Sequence, residues 1–425
     1  MLKKIKENVN IISRSKDGRT VVANFGYLTL LQIAGYIFPL ITLPYLARVI
    51  GVEGFGKIAF ASAVIVWFQT VSDWGFNYTA TRNVAQNRED KERVSEIFSD
   101  VLWARCLLAI MSFFLLLVAI FIIPIFRENA SIILVTFLLI PGHIMFPDWF
   151  FQAVERMKYT TILNLLSKLL FTILIFIFIK NKSDYILQPL LISLGYLVSG
   201  VLAMYLIIIK WGVKLKQPSL KKIFSTIKGS TDVFINNIMP NFYNSFSTML
   251  LGFFGGPVSN GIFNAGERFV NITQQFMNVI SRAFFPFLSR KIHRHNLYAR
   301  INISLSLGIS LMLFIFAPLI IKLFFTSEFG EAIIVLRILS ISVFVISTRN
   351  VYGTNYMIIQ GYEKQLRNIT IFGSIFGFII SYPLIYYFDY IGASLVIIIT
   401  QIILCVSVVN KAYKIKKLDM DKYKL

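Results

Sequence analysis

Long apolar segments separated by short polar ones run along the whole chain. About a dozen of them, at roughly 20 residues or more each, are long enough to cross a bilayer as an α-helix. We place the spans at about residues 21–47, 55–81, 101–124, 130–151, 160–179, 187–209, 229–252, 258–286, 301–325, 331–358, 369–388 and 391–411. The pattern therefore predicts an all-α integral membrane protein with twelve transmembrane helices and both termini on one side.

One predicted helix, 256–290, is too polar for a simple membrane anchor. Its polar residues recur at steps of three and four and stay within about 40° of one line on the helix surface. They are Asn260, Asn264, Glu267, Asn271, Gln274, Asn278 and Arg282. Because lipid cannot satisfy such a stripe, it must face protein or water. The stripe predicts a hydrated interior in which the protein carries out its function.

An internal repeat divides the chain into two halves. The spacing Gly51-x4-Gly56 returns as Gly256-x4-Gly261, an offset of 205, and QAVER at 152–156 returns as QGYEK at 360–364, an offset of 208. The longest polar basic stretch between spans, 210–228, lies at the middle. We therefore expect two six-helix bundles, residues 1–214 and 215–425, with the same orientation in the membrane.

Three further predicted helices carry polar residues, and the repeat indicates one of them. Moving the stripe back by 205 residues gives a matching set in the second predicted helix. That set is Ser62, Gln69, Asp73 and Asn77. The seventh predicted helix carries a similar face beside Pro240, and the first carries polar residues beside Pro39 and Pro44. These two groups are Asn237, Asn241, Asn244 and Thr248, and Gln32, Tyr36 and Thr42. We expect helices 1, 2, 7 and 8 to line the cavity where the halves face each other.

Composition and charge agree with a membrane protein. The 425 residues are 56% apolar and only 15% charged, with a net charge of +21. Lys and Arg are concentrated in the head, the tail and alternate loops (82–100, 210–228 and 287–300), which by the positive-inside rule places both termini in the cytoplasm. The head, 1–20, has the spacing of a basic amphipathic surface helix. Anionic membrane lipid is thus an expected partner and nucleic acid is not.

Several charged residues fall within predicted spans, where each costs on the order of 3 kcal/mol unless it is paired or hydrated. They are Asp73, Lys168, Glu267, Arg268, Arg282, Arg337 and Arg349. His293 and His295 stand close together, but the basic residues around them disfavour a metal. The sequence has no phosphate-binding loop, no metal-ligand spacing and no nucleophile motif. We therefore expect no catalytic residue, no metal and no cofactor.

Four segments, in their order and spacing, resemble one known family. They are FPDWFFQAVERMKYTT at 146–161, VIGVEGFGKIAFASA at 49–63, NGIFNAGERF at 260–269 and RAFFPFLSR at 282–290. The chain resembles the Wzx-type flippases for O-antigen and other polysaccharide repeat units, in the multidrug/oligosaccharidyl-lipid/polysaccharide flippase superfamily. The first segment is similar to the family's PxWFFQGxEKMKY, with Ala153 where Gly is usual. The resemblance implies a MATE-like transporter architecture in the bacterial inner membrane.

It also implies a substrate, an undecaprenyl-diphosphate-linked oligosaccharide, moved by alternating access from the cytoplasmic to the outer leaflet. Cations would hold the diphosphate, and amides would suit sugar hydroxyls. The cations are Arg282, Arg268, Arg349 and Lys168; the amides are Asn264, Asn271, Gln274, Asn278, Asn237, Asn241, Asn244, Gln69 and Asn77. Glu267 and Asp73 are the candidates for coupling to H+ or Na+. Other polysaccharide-assembly proteins are candidate partners.

Two other functions remain open. A cation-coupled multidrug or small-molecule exporter of the same superfamily would favour a carboxylate-rich cavity, whereas Lys and Arg are at least as numerous within these spans. A membrane-embedded polysaccharide polymerase or ligase would need a catalytic surface outside the membrane, and the predicted outer loops are short. Neighbouring genes for glycosyltransferases would favour the flippase, and a drug-responsive regulator would favour the exporter.

Overall fold

The computed structural model describes residues 16–422, and this part of the chain is helical with no β-strand. Residues 1–15 of the expected basic head lie outside the described residues. The helices are α1 Lys16–Asp73, α2 Phe76–Gln86, α3 Lys91–Ile122, α4 Pro124–Glu128, α5 Ala130–Phe137, α6 Leu139–Met145, α7 Asp148–Ala153, α8 Met157–Phe178, α9 Leu187–Tyr205, α10 Leu220–Ile238, α11 Ser245–Phe254, α12 Gly256–Arg290, α13 His295–Phe324, α14 Ala332–Tyr352 and α15 Glu363–Lys422. The all-α class predicted from the sequence is confirmed.

Eight helical segments of the described chain are long and apolar enough to span a bilayer, so the protein is a multi-pass membrane protein. Two of the eight, Thr29–Gln86 and Glu363–Lys417, run through backbone breaks at Gly51 and Asp389. The polar helix α12 is not among the eight, since its stripe lowers its hydropathy. The count of twelve spans stays a prediction.

The chain forms two compact units. The first contains residues up to 45 and 68–235, and the second contains 46–67 and 236–425. The middle of α1 thus belongs to the same unit as the C-terminal helices, and 215–235 belongs to the first unit. The compact units have other bounds than the bundles 1–214 and 215–425 expected from the internal repeat. The division into those two bundles stays a prediction.

The two glycine pairs of the repeat have the same structural roles in the second unit. The first glycine of each pair has a left-handed backbone, with φ of 67° and 75°, which glycine adopts without steric cost. The second allows close helix contact. A Cβ at Gly56 would lie 1.6 Å from the backbone oxygen of Pro257, and one at Gly261 would lie 2.1 Å from that of Val52. The contact is reciprocal, which explains why both copies of the spacing are present.

A second repeated feature is the turn that follows α7 and the turn that precedes α15. Glu155 and Gly361 have φ of 58° and 79°. In each turn the amide of the next residue donates to the carbonyl five positions back, at 2.9 Å. This is the αL turn that commonly ends a helix. By backbone conformation, Glu155 and Gly361 are therefore the equivalent positions of the two turns. Their offset is 206 (361 minus 155), whereas the QAVER and QGYEK segments predicted 208.

Pro240 interrupts the predicted seventh helix. Leu220–Ile238 ends before it, Met239–Phe242 forms a short 3₁₀ turn, and Ser245–Phe254 continues the path. Proline lacks the amide proton that a continuous helix needs and clashes with the preceding turn. The break turns amide side chains of this segment toward the cavity described next.

Candidate functional site

A cavity of about 710 Å³ lies within the second unit. Its wall comes from five parts of that unit: the 59–66 stretch of α1, the region around the Pro240 break, α12, α14 with the turn after it, and α15. The volume falls in the range of about 300–1,000 Å³ that is typical of ligand sites. Helix 1 of the sequence prediction contributes no residue to this wall. Helices α14 and α15, which were not among the four helices expected to line the cavity, contribute several.

The polar stripe of α12 faces this cavity. Six of its seven members line the wall: Asn264, Glu267, Asn271, Gln274, Asn278 and Arg282. The seventh, Asn260, is fully buried, packs close to Gly252, and has no hydrogen-bond partner for its amide in the described structure. The helical period thus identified the cavity-facing side of α12 from its second polar position onward.

Two arginines lie on the wall, Arg282 from α12 and Arg349 from α14. Neither makes a salt bridge with any residue that the structure describes. Arg349 donates through Nη1 to the Gln401 side-chain oxygen at 2.8 Å, and Gln401 donates to the Tyr243 hydroxyl at 3.3 Å. A neutral amide therefore orients the Arg349 guanidinium and leaves its positive charge without an anionic partner.

Amide side chains connect α12 to α14. Asn350 donates to the Asn278 side-chain oxygen at 3.0 Å, and Gln274 approaches the same oxygen at 3.4 Å. Below them, Ser281 donates to the Asn355 side-chain oxygen at 2.5 Å. These bonds fix the amide orientations, and amides both donate and accept hydrogen bonds. The wall can therefore bind a ligand rich in hydroxyl groups.

Among the described residues that line the cavity, Glu267 is the acidic one. The side chain of Asn271, one helical turn further on, hydrogen-bonds to it. Arg268, the next residue in sequence, carries a charge close by, but its half-buried side chain does not line the cavity. The wall thus contains two arginines and one carboxylate, a net positive charge when all three are ionised.

Three seventh-helix residues, Asn241, Asn244 and Thr248, also line the cavity, as does Ser62 of the shifted stripe. Asn237 lies on the same segment but is exposed outside the wall. The other predicted residues, Gln69, Asp73, Asn77 and Lys168, belong to the first unit, and Lys168 lies next to Gly35 there. The roles of Gln69, Asn77 and Lys168 in substrate binding and of Asp73 in ion coupling stay predictions.

Asp73 forms a salt bridge with Arg105 of α3 inside the first unit. The Arg105 side chain is 4% exposed and the Asp73 side chain 24%. Sequence analysis missed Arg105, although a single arginine in the apolar stretch VLWARCLL is a detectable signal. The pair means that Asp73 could bind an ion only after releasing this arginine.

Gln401, Tyr243 and Asn350 were also missed. None of them belongs to the repeated spacing that revealed the α12 stripe. In the structure all three line the cavity, where Gln401 accepts from Arg349 and donates to Tyr243, and Asn350 donates to Asn278. Without a periodic signal, the sequence could not separate these residues from ordinary packed ones.

Comparison with known proteins adds a family and a fold. The polysaccharide biosynthesis protein family matches residues 21–292. An Escherichia coli (strain K12) protein named "Putative O-antigen transporter" is 30% identical over 386 residues, covering 89% of this chain and 93% of the relative. A Shigella dysenteriae protein of the same name is 26% identical over 393 residues, covering 90% of this chain and 97% of the relative.

Two solved structures are similar in fold. The lipid II flippase MurJ in an inward closed conformation has a TM-score of 0.67 at 16% identity, covering 92% of this chain and 87% of that chain. An inward-facing multidrug resistance MATE family transporter of the MOP superfamily has a TM-score of 0.65 at 17% identity, covering 88% of this chain and 95% of that chain. At these identities the likeness concerns the fold alone.

The apolar helices and the fold define the class as a multi-pass membrane protein of MATE-like architecture, and the two relatives are named as transporters, not as enzymes. The match over 272 residues of the family (21 to 292) and the 30% identity with the Escherichia coli relative make the assignment more specific. The chain belongs to the polysaccharide biosynthesis protein family.

Proposed function

We propose that this protein is a flippase. It moves undecaprenyl-diphosphate-linked oligosaccharide repeat units from the cytoplasmic to the outer leaflet of a bacterial inner membrane by alternating access. The product serves the assembly of O-antigen or another surface polysaccharide. Both termini then face the cytoplasm, as the distribution of Lys and Arg predicts.

The observation that carries the proposal is the pair of cavity arginines without a carboxylate partner, Arg282 and Arg349. A diphosphate needs fixed positive charge in a site that is sheltered from water, and arginine offers paired donors for phosphate oxygens. Gln401 holds Arg349 by its neutral side chain, so the guanidinium keeps its charge for a ligand. Among the other predicted cations, Arg268 and Lys168 lie outside this wall and remain candidates for other steps of the transport path.

The amides of the wall support the sugar part of the proposed substrate. Asn264, Asn271 and Asn278 from α12, with Asn241 and Asn244 from the Pro240 break, surround the same space as the arginines. Sugar hydroxyls both donate and accept, and so do these amides. A cavity with cations and amides on one wall suits a ligand with a charged group joined to a glycan.

The experiment combines gene deletion with lipid analysis. Deletion should trap lipid-linked repeat units on the cytoplasmic leaflet, and the wild-type gene should restore surface polysaccharide. Arg282→Gln and Arg349→Gln should each reduce export by roughly 10- to 100-fold, since a charge-assisted hydrogen bond contributes about 1.5–3 kcal/mol. Arg337→Gln is the matched control: it is on the same helix as Arg349 but packs over Phe314, outside the cavity.

Normal surface polysaccharide in the deletion strain would overturn the proposal. Full export by the Arg282→Gln and Arg349→Gln variants would overturn the role of the cavity cations. If the deletion strain instead became sensitive to cationic drugs while its polysaccharide stayed normal, the exporter function would replace the flippase.

Ion coupling is part of the proposal, with Glu267 as the carboxylate that the cavity contains. A carboxylate facing the same space as the substrate can exchange a proton or Na+ as the substrate binds and leaves. We expect export by Glu267→Gln to lose its dependence on the ion gradient, as measured by collapsing H+ and Na+ gradients separately. Wild-type flipping that survives both collapses, together with full activity of Glu267→Gln, would exclude antiport.

A further inference from the structure

A second cavity, called the groove below, lies in the same unit, separate from the first. It has a volume of about 1470 Å³ and is formed by the start of α13, the end of α14 with its following turn, and the end of α15. Its lysine, arginine and histidine members are His293, His295, Arg300, Lys416 and Lys417. None of the residues that line it is a carboxylate, within the part of the chain that the structure describes. The proposed transport path does not use it.

Lys416 is held in this groove by neutral acceptors. The buried His295 ring donates from Nε2 to the Val351 carbonyl at 2.9 Å, since a carbonyl can only accept. Its Nδ1 is 3.2 Å from the Lys416 Nζ and therefore accepts from it. The Asn296 side-chain oxygen accepts from the same ammonium at 3.0 Å. The lysine is thus fixed in place, and none of these partners neutralises its positive charge.

Two aromatic rings complete the surroundings of this ammonium. Lys416 Nζ lies 5.4 Å from the ring centre of Tyr352 and 4.8 Å from that of Tyr356. Aromatic faces attract cations without neutralising them. The Tyr352 hydroxyl also lies 3.3 Å from that of Tyr413, which is 56% exposed at the rim. The groove is therefore a pre-ordered cationic site with aromatic walls.

The surface beside the groove is apolar and exposed. On α13, Leu297 is 50% exposed and Ile301 57% exposed, next to the groove residues Asn296 and Arg300. In a membrane protein, exposed apolar side chains of this kind face acyl chains. A ligand that fits both features has an anionic head and apolar tails.

The geometry points to a binding site for the phosphate headgroup of an anionic phospholipid, with Lys416, Arg300 and Lys417 as its cations. The tails would lie along the Leu297 and Ile301 face of α13. In the orientation of the proposed function, this site is at the cytoplasmic leaflet. It is a site for membrane lipid, distinct from the cavity that would hold the transported glycan.

The test measures lipid retention by the purified full-length protein, using native mass spectrometry in detergent. Wild type should retain dioleoylphosphatidylglycerol in preference to dioleoylphosphatidylcholine. Lys416→Gln and Arg300→Gln should each weaken that retention about fivefold, the effect expected of one surface cation on anionic lipid. Lys414→Gln is the matched control, since this exposed lysine is on the same helix but outside the groove, and it should retain the lipid normally.

Equal retention of the two lipids by wild type, or an equal loss in Lys414→Gln, would overturn the inference. Inorganic pyrophosphate provides the other arm: if it displaces phosphatidylglycerol completely at equal concentration, the groove is a site for soluble phosphate and not for lipid. Arg282→Gln should keep full lipid retention. The lipid site and the export function can therefore fail independently.

Discussion

The two compact units differ in how they accommodate an arginine within a predicted span. In the first, Arg105 is 4% exposed and pairs with Asp73. In the second, Arg282 and Arg349 line a cavity, and Arg349 bonds to an uncharged amide. A charge within the membrane costs on the order of 3 kcal/mol unless it is paired or hydrated. Pairing makes Arg105 part of the structure, whereas the cavity arginines, which form no salt bridge with a described residue, stay available to a ligand.

The largest effect is expected where the paired arginine loses its partner. Asp73→Asn should destabilise the protein by about 3–5 kcal/mol, because it leaves a buried guanidinium without a counter-charge. Thermal unfolding in detergent checks this. The double variant Asp73→Leu with Arg105→Met should recover most of the loss, since an apolar pair of similar volume replaces the ion pair.

Asp232→Asn is the control for Asp73→Asn, since Asp232 is an exposed carboxylate in the same unit. It should leave the unfolding temperature unchanged. If Asp73→Asn unfolds like wild type but loses export, Asp73 acts in transport, as the sequence analysis predicted, and the contrast between the two units is wrong.

The second-largest effect is expected when Arg349 is given a carboxylate partner, as Arg105 has in Asp73. Gln401→Glu keeps the size of the side chain but places a carboxylate against Arg349, which now bonds to Gln401 at 2.8 Å. The new ion pair would occupy the guanidinium, so we expect export to fall roughly 10- to 100-fold, the same range as for Arg349→Gln. Unfolding temperature should not fall, and surface polysaccharide measures export. Unchanged export would mean that Arg349 does not need its free charge.

The smallest effect is expected when the orienting bond is lost and the charge is kept. Gln401→Leu removes the acceptor of Arg349 and also the bond to Tyr243. Because the charge of Arg349 stays in the cavity and only its orientation is lost, export should fall by less than in Gln401→Glu, about fivefold or about 1 kcal/mol. Tyr243→Phe removes only the hydrogen bond from Gln401 to the Tyr243 hydroxyl, so it should reduce export less than Gln401→Leu does. A loss as large as that of Gln401→Glu would show that orientation, and not charge, is the limiting property.

The α12 stripe shows which features of the site can be predicted from helical periodicity. Six of its seven residues line the cavity because a helix repeats every 3.6 residues, so one sequence spacing defines one face. Asn260 differs because it packs close to Gly252, and that contact depends on a neighbouring helix. The break at Pro240 was also predictable, since proline cannot continue a helix without losing a bond.

The partners of the charges could not be read from the sequence. Asp73 was predicted to couple ions because it aligned with the α12 stripe, but its neighbour across the fold is Arg105, 32 positions away. Gln401 and Asn350 reach the cavity from α15 and α14 without belonging to a repeated polar spacing. Periodicity describes one helix at a time, and a pair between helices depends on their packing.

The sequence by itself determined the membrane class, the helical fold, the repeated glycine spacing and the polar face of α12. Each follows from local rules: apolar length, helical period and the steric freedom of glycine. The tertiary structure decided which arginine is neutralised and which faces a cavity, because that depends on the residue that a different helix places within a few ångströms. For this protein, the local pattern fixes the elements, and packing between them fixes their chemistry.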